Sequence, residues 1–424
     1  MTRILIRGMK TPFEAISAER TLDEDINGGN SGNLIFLESA FKLLSTRDAT
    51  VEVDHFHPER IGADVINERF DAFVIPFANA FRPSFRPTLE RYTETIERLK
   101  IPVVVLSCGY QGKLPYAAGE PHPINDLAKR FMRAVLDRSP SVGARGEYTQ
   151  DYLRRLGFTD VEVIGCPSMF LDGPRLNVTR RRPTLDRDAR IGFTVSGQVK
   201  PMGEVITAHM TRYPNLEYLA QNRDELRLLL WGVGSSTIPD GSPFPAHRSH
   251  RLLREDRTRM FVDPWTWFDH LRELDFVFGT RIHGNVAAIL AGTPAYVLAH
   301  DTRTLELSEY FEIPHRVMSD VRPDTDAAEL YAEADYAPLL DGHAARFERF
   351  IRFVEGHGLR HVFEPGEDPT AFDRRIAAID FPPAVRVRRN VLLHRIRGRS
   401  GRLLRRVSRS VVPAAGAVEP ESVT

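Results

Sequence analysis

Residues 275–304 read DFVFGTRIHGNVAAILAGTPAYVLAHDTRT, and this stretch decides the fold. The run 275–279 is apolar after its first residue and ends at Gly279, as a strand covered on both faces does. Residues 283–291 then place small and apolar side chains at helical spacing, and 294–299 (PAYVLA) is a second apolar run. Strand, helix and strand in so short a span make a β-α-β unit with two parallel strands. Thr280, Arg281 and His283 fall where the first strand hands over to the helix. Gly284 permits close approach of a ligand or a neighbouring backbone. The helix N-terminus there offers free N–H groups and a positive dipole end, a natural anion site. Arg281 adds a fork that binds carboxylate or phosphate, and His283 carries a proton near neutral pH. His300, Asp301 and Arg303 follow the second strand at the same edge. From spacing alone, His283 also reads as a helix-capping histidine with a satisfied ring, and Arg281 as half of a salt bridge to another domain.

The same alternation extends outward. Upstream, 191–195, 216–219 and 260–262 are strand-like and alternate with helical patterns at 204–213 and 223–230, while Pro264 opens the helix WTWFDHLREL. Before them, apolar content collapses over 176–190 (NVTRRRPTLDRDAR within it), a linker composition. The first part of the chain repeats the pattern, with strands at 3–7, 50–56, 72–76, 101–107 and 161–164 and helices at 33–44, 89–99 and 147–156. The expectation is an α/β protein of two Rossmann-like domains with parallel sheets, 1–176 and 188–365. A ligand would bind between them at the strand C-terminal ends. Residues 385–424 form a separate basic tail, arginine-rich and acid-free as far as 412. Its composition suits either a solvated disordered segment or contact with an anionic membrane surface, and it has no aromatic platform for RNA.

Composition limits the function classes. The 424 residues carry 57 basic and 57 acidic side chains and are 42% hydrophobic, so the chain is globular and not built to coat nucleic acid; no nucleic-acid partner is expected. The opening MTRILIRGMKTPFEAIS lacks the apolar core of a secretory signal, and the apolar runs fall far short of the roughly 20 residues that span a bilayer. A cytoplasmic protein is expected, peripheral on the inner membrane face if the tail binds lipid. Cys108 and Cys166, the only cysteines, read as buried small hydrophobes. His55 and His57 lack a neighbouring cysteine or acidic triad, so no metal is expected.

The stretch 279–294, Arg-x-His before a small-residue helix and Gly-x-Pro, resembles the signature of polysaccharide pyruvyl transferases. Asn30-Ser-Gly32-Asn33 is similar to that family's N-terminal loop. Ala144-Arg145-Gly146-Glu147, Tyr152–Gly157 and Val163–Pro167 resemble its middle block, and Asp301–Thr304 its later block. The resemblance covers roughly residues 1–315 in the family's order. It implies a fold like the two-domain GT-B glycosyltransferases, phosphoenolpyruvate as donor, and a pyruvate ketal on a polysaccharide or glycolipid sugar, with no cofactor or metal.

The donor is a small trianion, which needs cationic anchors; Arg281, Arg303 and Arg145 are the candidates, with Gly284 allowing close approach. His283 would be the acid that protonates the enol carbon, its pKa raised by the bound anion. Asp301 is the candidate base and Glu38 a second one. Asn30 and Asn33 would orient the acceptor, or else serve turn chemistry for Gly28-Gly29. Phe81 and Phe85 are candidates to stack on sugar rings, whereas Trp265 and Trp267 pack their helix. The family often has Asp at the positions of Asn33 and Cys166, so the resemblance does not carry the acid's role onto these two residues. The basic tail makes a lipid-linked acceptor attractive. Two other readings stand beside this one. A GT-B nucleotide-sugar glycosyltransferase would use a late acid, Glu306 or Glu309, on the ribose. A non-catalytic binding protein would need Arg281 without an active His283.

Overall fold

The computed structural model describes residues 1–116, 122–197 and 199–388. Its first lobe holds a parallel sheet of β1 (Thr2–Ile6), β2 (Ala49–Val53), β3 (Ala72–Pro76) and β4 (Val103–Leu106), in the order β2-β1-β3-β4. Two short strands, β5 (Val142–Ala144) and β6 (Val161–Val163), extend it. The Cys108 N–H donates to the Gly143 carbonyl at 2.9 Å and ties β5 to the end of β4. Alternation decides which face each side chain covers. Leu5, Phe73, Ile75, Val103 and Val105 enter one core, while Ile4, Ile6, Val74, Val104 and Leu106 enter another that continues into the second lobe. Both faces of this sheet are therefore covered, as the unbroken apolar run at 103–106 requires.

The second lobe contains β7 (Ile191–Thr194), β8 (Leu216–Ala220), β9 (Thr258–Met260), β10 (Phe276–Gly279), β11 (Ala295–Ala299) and β12 (His315–Val317). All pairings are parallel and the spatial order is β12-β11-β10-β7-β8-β9. Counted from β7, this is the doubly wound order 3-2-1-4-5-6, whose strand order reverses between β7 and β10. Gly279 permits the close approach of those two strands at this point: its φ is +138°, and a Cβ there would lie 1.9 Å from the carbonyl oxygen of its register partner Thr194. The chain is a two-lobed α/β protein of parallel sheets. Strands β5 and β12 are short and were not legible in the apolar pattern.

Two features differ from the reading of the C-terminal region. The helix Ala337–Gly356 packs across onto the first lobe, its His343 ring bonded to the Gly173 carbonyl at 3.0 Å, and Phe350 stacks on Phe170. Residues 385–388, assigned above to the tail, dock on the second lobe. Val385 pairs antiparallel with Met260, and the Arg388 N–H donates to the Leu229 carbonyl at 3.1 Å. The remainder of that tail, 389–424, lies outside the described residues.

The lobes are bonded on both sides of the gap between them. On one side Ser31 N–H donates to the Gln221 carbonyl at 2.9 Å and Ser31 Oγ to the Phe261 carbonyl at 2.7 Å. On the other, Thr302 N–H donates to the Gly112 carbonyl at 3.2 Å and Gly112 N–H to Thr302 Oγ1 at 2.9 Å. Among the described residues no helix is long and apolar enough to cross a membrane.

Candidate active site

The points where strand order reverses in the two sheets face one another. In the first lobe this point lies between β1 and β3, and Arg7 and Phe77–Asn79 follow directly from those strands. In the second it lies between β7 and β10, where Arg281 emerges. The crevice outside the strand ends is where such sheets bind ligands. The cavity here has a volume of about 330 Å³ and is lined by Arg7, Arg82, Arg145, Arg281, Arg303 and His283. Asn30, Asn33, Asn79, Gln221, Asn222, Phe77 and Phe85 complete most of the wall. Among the described residues that line it there is no carboxylate.

Five guanidiniums that converge on a cavity with no carboxylate among its described lining residues form an unusual environment, although Arg303 is paired with Asp301 at 3.4 Å. Arg145 is fully buried, and none of its three side-chain nitrogens has a hydrogen-bond partner among the described residues. Burial pushes its pKa down, with the nearby Arg303 adding to the effect and Cys166 and Glu306 opposing it. Arg82 is pushed down to about 10 by burial first, then by Arg303, Arg7 and Arg145. Arg7 lies over the Phe56 ring at 4.4 Å and the Phe77 ring at 5.1 Å, which fixes its planar head at the end of β1. Arg281 caps the helix Ile282–Leu290; its Nε donates to the Val195 carbonyl at 3.1 Å, and its terminal nitrogens remain for the cavity. Asn285 braces the loop by donating to the carbonyls of Gly279 and Arg281.

His283 occupies the first turn of that helix and is 8% exposed, buried yet open to the cavity. Its Nε2 lies 3.7 Å from Cys166 Sγ, and a Cβ on Gly32 would come within 2.5 Å of its Cβ. Two stretches distant in sequence thus close on one imidazole. Burial pushes its pKa well below the ordinary value, with Arg145 and then Arg303 adding repulsion. The shift is thus opposite to the expected rise: burial first, and then the two guanidiniums, favour the neutral ring.

The remaining sequence candidates divide. Asn30 and Asn33 line the cavity, and both also do turn work. Asn30 bonds Asn222 across the lobes at 3.0 Å, and Asn33 donates to the carbonyls of Asn27 and Gly28. Gly284 leaves room for Gln221, whose Nε2 would be 2.5 Å from a Cβ there. Asp301 caps the helix Thr302–Phe311 through Thr304 and holds Arg303 at 3.4 Å and Gln111 at 3.2 Å. Burial opposes its charge, but Arg303, His300 and the Thr304 bonds outweigh it and hold the carboxyl below the usual range.

Glu38 does not reach the cavity. It is buried against Lys10 at 3.5 Å and pushed up to about 7 by burial. Phe81 is likewise a core residue, against Phe131 and Tyr152, whereas Phe85 does line the cavity. Trp267 stacks on Phe261, and Trp265 packs on Phe268 and Phe372. His55 bonds the Met9 carbonyl and His57 bonds Glu59. Glu306 is buried behind Arg145, accepts two bonds from Thr149, and is pushed up to about 8 by burial; it does not line the cavity. Sequence reasoning missed Arg7, Arg82, Asn79, Gln221 and Asn222. The signal available was position: each follows closely on the C-terminal end of a parallel strand or sits in the loop beyond it.

The family model for polysaccharide pyruvyl transferases matches residues 30–302, well over half of the chain. The chain belongs to this family. The matched span takes in most of the cavity, including Arg82, Arg145, Arg281 and His283, and ends one residue short of Arg303. No curated protein matches the chain. Among solved structures, the glycotransferase of kitacinnamycin overlaps at a TM-score of 0.31 and 12% identity, covering 90% of this chain and 99% of that one. A UDP-N-acetylglucosamine 2-epimerase overlaps at 0.37 and 11%, covering 91% and 98%. The corresponding epimerase from Rickettsia bellii overlaps at 0.37 and 10%, covering 84% and 96%.

Proposed function

We propose that this transferase moves the pyruvyl group of phosphoenolpyruvate onto two hydroxyls of one sugar, forming a ketal. One observation carries the reading: among the described residues, five guanidiniums meet in a cavity of about 330 Å³ with no lining carboxylate, and one of them is fully buried without a hydrogen-bond partner. Burying an unpaired charge costs several kcal/mol, so such a site is built for an anion that arrives later. Phosphoenolpyruvate brings a carboxylate and a phosphate on a three-carbon frame, enough to engage Arg281 and Arg303 from one lobe and Arg7, Arg82 and Arg145 from the other.

The bound trianion reverses the field at His283. It cancels the repulsion from Arg145 and Arg303 and favours the imidazolium. That imidazolium protonates C3, and C2 becomes cationic. A sugar hydroxyl adds to C2 and loses its proton, the C2–O bond to phosphate breaks, and the second hydroxyl closes the ketal. The acid's proton ends in the new methyl group, one hydroxyl proton restores His283, and the other leaves with phosphate. A positioned acid of this kind contributes about 10²–10⁴-fold. Asp301 acts in this scheme through Arg303, which it orients.

The test is phosphate release from phosphoenolpyruvate across a panel of glycans, with the ketal methyl group of the product followed by NMR. His283→Gln is expected to keep stabilisation by phosphoenolpyruvate and lose phosphate release. Stabilisation by nucleotide diphosphates but not by phosphoenolpyruvate would replace the proposal with nucleotide-sugar transfer.

A further inference from the structure

A second cavity, of about 420 Å³, opens in the second lobe directly beside the first, and the two share Arg281 and Asn222. Its volume lies within the usual range of small-molecule sites. It is built on the ends of β7 and β8, on the helix Arg223–Trp231, and on the loop 232–250. Its chemistry is the inverse of the arginine cavity. Among the described residues Arg281 is its only lining cation and stands on the shared wall, while Asp224 and Glu225 both line it. Ser235 and Thr237 contribute hydroxyls, and Tyr218, Leu228 and Phe244 form an apolar floor.

The loop that closes this cavity is held by its own bonds. Ser235 N–H donates to the Ala246 carbonyl at 3.0 Å, Ser235 Oγ accepts from the N–H groups of Thr237 and Ile238, and His247 bonds the Ile238 carbonyl at 2.5 Å. Glu225 is fixed by the N–H groups of Gln221 and Asn222 and by the Tyr218 hydroxyl. Asp224, by contrast, is largely exposed and pairs with Arg227 at 3.2 Å. The cavity is therefore preformed, and the Asp224 carboxylate at its rim, paired with Arg227 through one oxygen, is exposed enough to accept further bonds.

A ligand rich in phosphate would meet one guanidinium and two carboxylates there, an unfavourable balance. A neutral polyol meets acceptors for its hydroxyls and apolar surface for its C–H faces. We infer that this cavity is the subsite for an uncharged saccharide, the acceptor, whose reacting hydroxyls project past Arg281 and Asn222 toward the donor. This inference rests on the proposed pyruvyl transfer and names its acceptor side, placing it in the second lobe and not at Asn30 and Asn33 alone.

Saturation-transfer NMR with methyl glycosides of galactose, glucose and mannose, in the presence of phosphoenolpyruvate, tests it. Thr237→Trp fills the cavity from an exposed loop position, and Asp224→Ala removes the rim carboxylate. At least one glycoside is expected to bind the wild-type protein and to lose at least tenfold in affinity in Thr237→Trp, while the thermal shift given by phosphoenolpyruvate stays the same. Glycoside binding indifferent to both substitutions, no glycoside binding at all, or uridine diphosphate displacing the glycoside from this cavity would overturn the inference. Absence of a phosphoenolpyruvate shift in the wild-type protein would instead count against the donor reading, so the two failures are distinguishable.

Discussion

Replacing Arg145 by Met should stabilise the empty protein and cripple its binding of the donor. Arg145 is fully buried, and its Nε and both terminal nitrogens lack partners. Exchanging an imperfectly compensated buried charge for an apolar side chain of similar length gains about 1–4 kcal/mol. The change leaves no new orphan charge, because Glu306 behind it is pushed up to about 8 by burial and is already protonated at neutral pH. The donor loses a desolvated, charge-assisted partner, which costs about 2–5 kcal/mol or roughly 30- to 5,000-fold in affinity. Denaturant midpoints with and without phosphoenolpyruvate measure both effects on one sample. A variant that is less stable when empty, or that keeps its full response to phosphoenolpyruvate, would refute the idea that Arg145 is held in reserve for an anion.

Other substitutions separate roles that the geometry brings together. Glu306 has a folded pKa raised to about 8, so its contribution to stability is complete below its unfolded pKa of about 4.3 and is lost as pH rises toward 8. Glu306→Gln should therefore flatten the fall in stability between pH 5 and 8 by up to about 1.4 kcal/mol per pH unit, read from denaturant midpoints. Asp301→Ala should cost about 0.5–2 kcal/mol through loss of the helix cap, whereas Asp301→Asn keeps the cap and should keep phosphate release within about tenfold. A fall of about 10²–10⁴-fold in the Asn variant would restore Asp301 as a base. Gly32→Ala forces a Cβ to within 2.5 Å of the His283 Cβ, so the imidazole must shift; turnover should fall about 10²-fold with the donor-induced thermal shift retained.

Much of this architecture was legible because burial on both faces leaves an unmistakable trace. The runs at 103–106 and 276–278 are apolar at every position, and Gly279, Arg281 and His283 interrupt the pattern where the sheet reverses. Arg7 was not legible, because an arginine after a short strand resembles any solvated strand end until Phe56 and Phe77 are seen beneath it. Arg82 sat in a Pro-rich loop that drew attention to its phenylalanines, one of which proved to be core. The approach of Cys166 to His283 joins residues 117 positions apart and no local pattern encodes it. The downward shift of His283 comes first from its burial and then from Arg145 and Arg303, one from each lobe, so it could not be read from the motif. Asp301 looked like a base from its place at a strand end, but the same place makes it a helix cap.

The account stands most directly on whether the arginine cavity, when filled, charges its histidine. Calorimetry of phosphoenolpyruvate binding near pH 7.5, in buffers of different ionisation enthalpy, counts the protons taken up. Uptake approaching one proton in the wild-type protein, abolished in His283→Gln, is the predicted result. Donor binding with no proton uptake, or with uptake unchanged in His283→Gln, would contradict it.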